Sequence, residues 1–497
     1  MLTSTRHELS AVAVRGSAVL RPRLRHSTLR WSSTSTGAST RPRTAIFFPG
    51  QGVQRVGMTT PWLTAFPRTV QPILDEIDET LGIRLSRIIE SGTNAELNAT
   101  ENSQPAIMAT SVLILRVLEQ EFGFKTAERV DFTLGHSLGE FAALVAGGYL
   151  QFSDALLMVR KRGEIMAQCT KEAWEKYGGE MGMVALVCEN ENRMQDLLVA
   201  IDQFIGLSSC GSKYDSSVDV PPVQQVVVAN INSKNQIVLS GSIERINTLL
   251  THVRQFGGHD PRHVRLHADS PFHSPLMKPA VEFMRKTLDF PSPRTRKDKV
   301  TFPGLMPCVS NTSGTPFTSR ENLKDQLARQ AAETVHWWES VRYLDKEEKV
   351  RRWIGIGPGK VGRNLVGKEV GMKGATRGGG VWGLTSPHEI ADLIRELDET
   401  ENPSTFHPSS PPSSSSPSPS STNSHSSALP HVSRLAGQAA SRVAAYISNP
   451  AIVQRLWPPP QRLPGILPGG EAGARLAYGL SHSEAMFKPE SGMISSS

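Results

Sequence analysis

The sequence predicts an α/β fold in which a largely parallel sheet carries a small inserted subdomain. Between residues 44 and 399, short apolar strand patterns alternate with helical patterns, which is typical of a parallel sheet covered by helices. The rhythm changes within residues 173–269, where a strand, a helix, two strands, a helix and a strand follow one another as in a ferredoxin-like unit. We therefore expect residues 44–172 and 270–399 to form the core, with the insertion between them.

The first strand of the core is predicted at TAIFF, residues 44–48, because this apolar run leads into a turn of proline and glycine. The inserted unit contains strand and helix patterns on both sides of a polar loop at 206–223. Its strands are expected at 181–187, 226–233, 236–241 and 262–268, and its helices at 191–204 and 243–257.

The N-terminal leader, residues 1–43, has a composition of its own. It contains eight arginines and one acidic residue, Glu8, so it accounts for the whole formal net charge of +7. A basic leader on a neutral body argues against a nucleic-acid-binding surface on the folded domain. A leader rich in arginine and serine and poor in acids is typical of a mitochondrial transit peptide, which predicts a protein of the mitochondrial matrix. A disordered basic tail is the alternative that composition leaves open.

The sequence beyond the core is also distinct. Residues 400–429 consist largely of serine and proline, which predicts a disordered linker. The extension at 430–497 contains one helical pattern, at 431–446, and we assign it no function. No apolar run approaches ~18 residues, so no membrane span is expected. The cysteines show neither CxxC pairing nor metal-ligand spacing, which indicates reduced thiols; they are Cys169, Cys188, Cys210 and Cys308.

The clearest local signal for chemistry is GHSLG at residues 135–139, which follows an apolar strand pattern and precedes a helical one. The two glycines of GxSxG permit a tight turn that exposes the serine hydroxyl at a helix N-terminus, where partial positive charge favours an anion. We therefore predict Ser137 as a nucleophile and the Leu138 N–H group as a donor to an oxyanion. A purely structural Gly-Ser turn is the alternative.

Two families with this motif compete here, the α/β-hydrolases and the malonyl/acyl-CoA:acyl carrier protein transacylases. FPGQGVQRVGM at 48–58 and GHSLGE at 135–140 resemble the transacylases, and the HGGG-type loop of many hydrolases does not occur in the sequence. The resemblance covers residues 44–385 and implies a hydrolase-like parallel-sheet core. It also implies that the backbone N–H of Gln51 is the second oxyanion donor.

A single arginine is the next candidate. Arg162 lies 25 residues after Ser137 in LLMVRKRGEIMAQ, on a predicted helix. An arginine can meet a carboxylate with two parallel charge-assisted hydrogen bonds. The sequence resembles the family here at its arginine-glycine position, which implies that Arg162 holds the free carboxylate of malonate. The adjoining Arg160 and Lys161 are interpreted as a solvated helix face.

The expected general base is a histidine, because its pKa lies near operating pH. ADSPFHSPLMKPA at 268–280 resembles the family segment in which a histidine precedes Met-Lys-Pro-Ala, which implies that His273 is the base. In related acyltransferase domains a phenylalanine before this histidine accompanies selection of malonyl over methylmalonyl groups, so Phe272 favours malonyl. A core aromatic is the alternative for Phe272.

A glutamine completes the predicted site. QAAETVHWWESVRYL at 330–344 is similar to a family segment in which the region of a glutamine orients the catalytic histidine through a backbone carbonyl, which implies this role for Gln330 and a place beside the substrate. Thr334 stands where the family has proline, and His336 stands where it has a basic residue. Gly355 in the closing GPGK segment stands where many members carry glutamate.

The resemblance implies ping-pong acyl transfer through a malonyl-serine ester, with malonyl-CoA and acyl carrier protein as partners and no metal or other cofactor. We expect a monomer. A GxSxG hydrolase or thioesterase and a non-catalytic carrier-protein-binding relative remain as alternatives. A basic run beyond the GPGK turn is either a docking face for the acidic carrier protein or an ordinary solvated surface; it comprises Lys360, Arg363, Lys368, Lys373 and Arg377.

Overall fold

The computed structural model describes residues 41–205, 221, 224–268, 270–372 and 379–401, and the strands within these ranges form two sheets. The predicted linker after residue 401, the C-terminal extension, most of the leader and most of the polar loop lie outside the described residues. In chain order the strands are β1 (Thr44–Phe48), β2 (Phe132–Gly135), β3 (Met181–Val187), β4 (Val226–Ser233), β5 (Gln236–Ser242), β6 (Arg262–Arg265), β7 (Cys308–Val309), β8 (Arg352–Ile356) and β9 (Gly380–Leu384).

Helices pack against both sheets and follow most of the strands. They are α1 (Thr60–Ala65), α2 (Pro67–Leu81), α3 (Leu85–Ser91), α4 (Asn94–Asn98), α5 (Thr100–Phe122), α6 (Thr126–Arg129), α7 (Gly139–Ala146), α8 (Phe152–Tyr177), α9 (Glu191–Ile205), α10 (Ile243–Gln255), α11 (Lys278–Asp289), α12 (Arg320–Arg329), α13 (Trp337–Arg342), α14 (Val361–Val370) and α15 (Glu389–Glu401). None of the helices in the described ranges has the length and hydrophobicity that a bilayer crossing requires.

The larger sheet is parallel throughout, with the strand order β7-β2-β1-β8-β9. The central strand β1 is buried over its whole length, as expected for a strand covered on both faces. Helix α5 is also buried on nearly all sides, since apolar residues surround it rather than forming one stripe. The predicted α/β fold with a parallel sheet is confirmed.

The smaller sheet is antiparallel, with the strand order β4-β5-β3-β6. Helix α9 connects β3 to β4, and α10 connects β5 to β6, so the elements follow the order read from the sequence. β6 ends at Arg265, before the predicted end at residue 268. Both sheets belong to one compact unit, and α8 runs without a break across the expected boundary at residue 172. The division into a core and an inserted subdomain stays a prediction.

One short segment connects the edge of the antiparallel sheet to the rest of the molecule. Val335 donates its N–H to Ala229 O on β4 (2.8 Å) and accepts from the N–H of Ile231 (3.0 Å). The hydroxyl of Thr334 donates to Val228 O (2.7 Å). Threonine at the family's proline position therefore adds a hydrogen bond to β4 that proline has no group to make.

The described chain begins and ends slightly beyond the limits expected from the sequence. Arg41 and Arg43 belong to the predicted leader, but Arg41 forms an ion pair with Asp131 (2.8 Å) and Arg43 forms one with Glu348 (2.6 Å). At the other end, α15 continues to Glu401, which pairs with the buried Arg352 (3.0 Å). These contacts show that composition places a fold boundary only to within a few residues.

The carboxyl ends of the parallel strands bring distant parts of the chain to one edge of the sheet. The turn after β1 and the turn after β2 meet there, because β1 and β2 are adjacent and parallel. Asn311 follows β7, and Gly357 follows β8, at the same edge. Ligands of open α/β sheets bind at this edge, so these residues lie where a ligand site is expected.

Candidate active site

The turn between β2 and α7 places Ser137 in a strained conformation. Ser137 has φ of 50°, in the left-handed region that costs a non-glycine residue about 1–3 kcal/mol. Glycine is required on both sides of it: a Cβ on Gly135 would overlap Gly139 O, and a Cβ on Gly139 would lie 2.6 Å from Phe48 O. This tight approach of backbone segments directs the serine hydroxyl away from the sheet at the start of α7.

His273 lies within hydrogen-bond distance of the serine. Its Nε2 is 2.7 Å from Ser137 Oγ. Its Nδ1 lies 2.9 Å from Gln330 O and 3.1 Å from Glu333 O. A carbonyl oxygen only accepts hydrogen bonds, so Nδ1 carries the proton and Nε2 presents a lone pair to the serine hydroxyl. The backbone thus fixes the tautomer that a general base needs.

His273 is held in its neutral form by its surroundings. It is 3% exposed, and burial lowers its pKa to about 3, with further lowering by the positive charge of Arg162 and by His136. The hydrogen bonds to Gln330 O and Glu333 O oppose this shift. At neutral pH the imidazole is therefore ready to accept a proton from Ser137.

Arg162 is buried beside the serine and is held by two glutamine side chains. Nη1 donates to Gln104 Oε1 (2.6 Å), and Nη2 donates to Gln330 Oε1 (2.8 Å). Nε is buried without a hydrogen-bond partner, and among the described residues Arg162 forms no ion pair. Burial lowers the pKa of the guanidinium to about 10, which leaves it charged at neutral pH. A buried guanidinium with free N–H groups and no carboxylate in direct contact is suited to bind a carboxylate from outside.

Gln330 contacts every other central residue of the site. Its Oε1 accepts from Arg162, its Nε2 donates to Ser137 O (2.6 Å), and its backbone carbonyl accepts from His273. It is fully buried at the C-terminal end of α12. The side chain therefore spaces the arginine from the serine turn while the main chain orients the base.

Two backbone donors remain available next to Ser137. Ser137 donates its own N–H to Asn311 Oδ1 (2.8 Å), whereas the N–H groups of Leu138 and Gln51 have no acceptor among the described residues. The two segments are in contact, since a Cβ on Gly50 would lie 2.9 Å from His136 O. This arrangement is compatible with the predicted oxyanion role of Leu138 and Gln51, which stays a prediction.

Phe272 lies in the core next to the base. It is 7% exposed and belongs to an apolar cluster between α8 and the antiparallel sheet. Met166 and Cys169 of α8 and Met183 of β3 are members of the same cluster. The packing supports the core interpretation that the sequence left open, and a selective role for Phe272 stays a prediction.

Comparisons with known proteins identify the family. The acyl transferase domain family matches residues 46–203. The malonyl CoA-acyl carrier protein transacylase of Bacillus subtilis is 33% identical over 324 residues, which cover 65% of this chain and 89% of the relative. The Escherichia coli K12 protein of the same name is 31% identical over 318 residues, which cover 64% of this chain and 89% of the relative. This chain belongs to the malonyl CoA-acyl carrier protein transacylase family.

Solved structures extend the comparison to the fold of this transacylase family. An acyl-carrier-protein S-malonyltransferase from Bartonella henselae has a TM-score of 0.56 and 28% identity, covering 72% of this chain and 99% of that one. A malonyl-transacylase in complex with its type II PKS acyl-carrier protein has a TM-score of 0.56 and 27% identity, with 72% and 99% coverage.

The residues that hold the serine turn of this transacylase site through hydrogen bonds were not identified from the sequence. Asn311 accepts from Ser137 N–H, donates to Gly135 O (2.7 Å) and donates its own N–H to Glu140 Oε1 (2.8 Å). His136 contacts Asn232 Oδ1 through Nε2 (2.9 Å). Glu140 directly follows the GxSxG motif, which is the one local signal that points to it. Gln104 and Asn311 carry no local signal, because only the folded chain brings them to the serine.

No group of three or more histidine, cysteine, aspartate or glutamate residues suited to a metal ion occurs in the part of the chain that the structure describes. Within that part, Cys169, Cys188 and Cys308 are free thiols, and Cys210 lies outside it. The expectation that the transacylase reaction needs no cofactor stays a prediction.

Proposed function

We propose that this protein transfers a malonyl group from malonyl-CoA to the phosphopantetheine thiol of acyl carrier protein, in support of fatty acid synthesis. The observation that carries the proposal is the buried Arg162, with free N–H groups, beside a Ser137–His273 pair joined at 2.7 Å. The pair supplies a nucleophile and a base, and the arginine supplies recognition of an acyl group that ends in a carboxylate. Membership of the transacylase family supports the same reaction.

In the acylation step, His273 Nε2 takes the proton of Ser137 as Oγ attacks the thioester carbonyl. The bond from Oγ to the carbonyl carbon forms, and the carbonyl oxygen becomes an oxyanion that the N–H groups of Leu138 and Gln51 stabilise. Each such donor contributes roughly 10²–10³-fold to the rate in other enzymes. The carbon–sulfur bond then breaks, His273 returns the proton to the sulfur, and coenzyme A leaves as the thiol. A malonyl-serine ester remains.

In the second step, the carrier protein thiol gives its proton to His273 and attacks the ester. The same oxyanion donors act again, the bond from the carbonyl carbon to Ser137 Oγ breaks, His273 returns its proton to Oγ, and malonyl-carrier protein leaves. Arg162 holds the carboxylate throughout and keeps the ester in place between the two steps. The acceptor is inferred from the family, in which one relative was solved together with its acyl-carrier protein.

The basic run provides less docking charge than its composition indicates. Lys360 pairs with Glu389 (3.0 Å), which offsets its charge. Arg363 keeps its charge but is half-buried and donates to Val381 O (3.3 Å). Lys373 and Arg377 lie outside the described residues. Lys368 is exposed on α14 and forms no ion pair with the described residues, so we propose it as the carrier-protein contact of this run.

We also propose that the protein acts in the mitochondrial matrix. The support is the arginine-rich, acid-poor composition of the leader. Arg41 is folded onto Asp131, so the removable part is expected to end before residue 41. A fluorescent fusion of the full chain should enter mitochondria, and a fusion that lacks residues 1–40 should not. Equal cytosolic fluorescence for both fusions would contradict the proposal.

The reaction is tested by intact-protein mass spectrometry after brief exposure of the full chain to malonyl-CoA or acetyl-CoA. We expect a malonyl adduct that exceeds the acetyl adduct, is absent from Ser137→Ala, and is discharged by added carrier protein. Free malonate without a lasting adduct would instead indicate a hydrolase. If neither an adduct nor free acid forms, the result would indicate a binding protein without catalytic activity.

A further inference from the structure

Glu140 is a buried carboxyl group to which the acyl-transfer steps above assign no role. It lies in the first turn of α7 and is 0% exposed. Its Oε1 accepts from the N–H of Asn311 (2.8 Å), whereas its Oε2 has no hydrogen-bond partner among the described residues. A buried carboxylate with an unpaired oxygen is costly unless positive charge lies nearby.

The positive charge that acts on Glu140 is Arg162. Burial raises the pKa of Glu140, while Asn311, Gln330 and, by a smaller effect, the positive charge of Arg162 lower it. Burial lowers the pKa of Arg162, and Glu140 raises it. The two do not form a direct ion pair, because the hydrogen bonds of Arg162 go to Gln104 and Gln330. The site therefore contains a guanidinium and a carboxyl group that interact electrostatically, and the Nε–H of the guanidinium has no hydrogen-bond partner among the described residues.

We propose that Glu140 is the counter-charge of Arg162 before substrate binds and takes up a proton when a substrate carboxylate binds to that arginine. An acyl group with a free carboxylate is then bound together with a proton, whereas a neutral acyl group is bound without one. The inference rests on the malonyl transfer proposed above and makes Glu140 a positioning and selectivity residue, since it acts through Arg162.

The charge balance of the site requires this proton. Two carboxylates and one guanidinium in a buried space leave one negative charge uncompensated, and a second carboxylate strongly raises the pKa of the first. Burial has already raised the pKa of Glu140 to about 7, so the proton is available near neutral pH. The malonyl carboxylate keeps its charge because it meets the guanidinium directly.

The other titratable groups around this site do not change charge near neutral pH. Burial lowers the pKa of His136 and lowers that of His273 to about 3, so both are neutral. Burial raises the pKa of the Cys308 thiol, on the β7 side of Glu140, far above its usual range. Arg162, on the α8 side, keeps its charge. Glu140 is thus the group of this set that can take up the proton.

The direct test measures the proton. Ser137→Ala protein binds thioesters without chemistry, and calorimetric titration in two buffers with different ionisation enthalpies reports the protons taken up on binding. At pH 8 we expect nearly one proton per site with malonyl-CoA and none with acetyl-CoA. Malonyl-CoA binding without proton uptake overturns the inference. This result does not depend on any substitution of Glu140.

Glu140→Gln in the same background identifies the group. Glutamine keeps an Oε1 acceptor for Asn311 N–H but does not titrate, so proton uptake should disappear. Unchanged uptake in this variant assigns the proton to another group and overturns the inference.

Kinetics supply an independent readout in protein with an intact Ser137. Above pH 7, KM for malonyl-CoA should rise by up to about tenfold per pH unit in the native protein and stay level in Glu140→Gln. Parallel pH profiles for the two proteins contradict the inference. If no malonyl-serine adduct forms in protein with Ser137, the proposed function is contradicted. If the adduct forms but Ser137→Ala takes up no proton on binding malonyl-CoA, only the role of Glu140 is contradicted.

Discussion

The side chain of Gln330 contacts both Arg162 and the serine turn, so its truncation separates two contributions to catalysis. Gln330→Ala removes the acceptor of Arg162 Nη2 (2.8 Å) and the donor to Ser137 O (2.6 Å). The backbone carbonyl that accepts from His273 Nδ1 (2.9 Å) remains. The base therefore keeps its orientation, while the arginine and the serine turn each lose one hydrogen bond.

The expected losses follow from the kind of hydrogen bond removed. The charged contact to Arg162 is worth at least about 1.5 kcal/mol and the neutral contact to Ser137 O about 1 kcal/mol. If both are lost from the transition state, kcat/KM falls roughly 70-fold with malonyl-CoA. With acetyl-CoA, which does not use Arg162, the fall is about fivefold.

Gln104→Ala is the matched control, because Gln104 accepts from the other terminal nitrogen of Arg162 (2.6 Å) and its side chain forms no hydrogen bond to Ser137 or His273. It should lower kcat/KM with malonyl-CoA about tenfold and leave acetyl-CoA transfer unchanged. Steady-state transfer of each acyl group to carrier protein measures both effects. Equal losses with the two thioesters in Gln104→Ala would refute the reasoning, as would undiminished acetyl transfer in Gln330→Ala.

Three further predictions concern other parts of the molecule. Asn311→Ala leaves Ser137 N–H and Gly135 O without partners, so urea unfolding should show a loss of about 2–4 kcal/mol and kcat should fall alike with every thioester; normal acetyl transfer would contradict this. Because the pKa of His273 is lower when folded (about 3) than when unfolded (6.5), its contribution to stability falls as pH falls between these values. The native protein should therefore lose about 2 kcal/mol more than His273→Asn between pH 7 and pH 5, and identical losses in the two proteins would exclude a buried neutral His273. Lys368→Glu should raise KM for carrier protein about 3–10-fold at low salt. Lys286→Glu, which makes the same charge change at an exposed position on α11, should leave this KM unchanged. Equal KM values for the two variants would exclude docking at Lys368.

Local sequence predicted those parts of the site that local backbone forms. The strand, the two glycines and the following helix are local signals that together predict the position of Ser137. The element order of the antiparallel sheet was likewise readable, because each strand and helix has its own period. The prediction of Arg162 and His273 depended on resemblance to the family, because local sequence does not distinguish a functional arginine or histidine from the others in the chain.

The supporting residues were not predictable in the same way. Asn311 reaches Ser137 across 174 positions, and Gln104 reaches Arg162 across 58. Neither pairing follows from periodicity, since each depends on which strands and helices become neighbours. The raised pKa of Glu140 has the same origin, because it comes from burial and not from the motif that precedes it.

The segment at Thr334–Val335 links the protection of a sheet edge to the orientation of the catalytic base. By pairing with β4 it covers part of an edge strand that would otherwise present free backbone groups to a second chain, which is a route to aggregation. The carbonyls of Gln330 and Glu333, which hold His273, lie immediately before it. A change that detaches this segment would therefore lower solubility and turnover together. Variants recovered by selecting for soluble expression should accordingly retain this pairing and, with it, the orientation of the base.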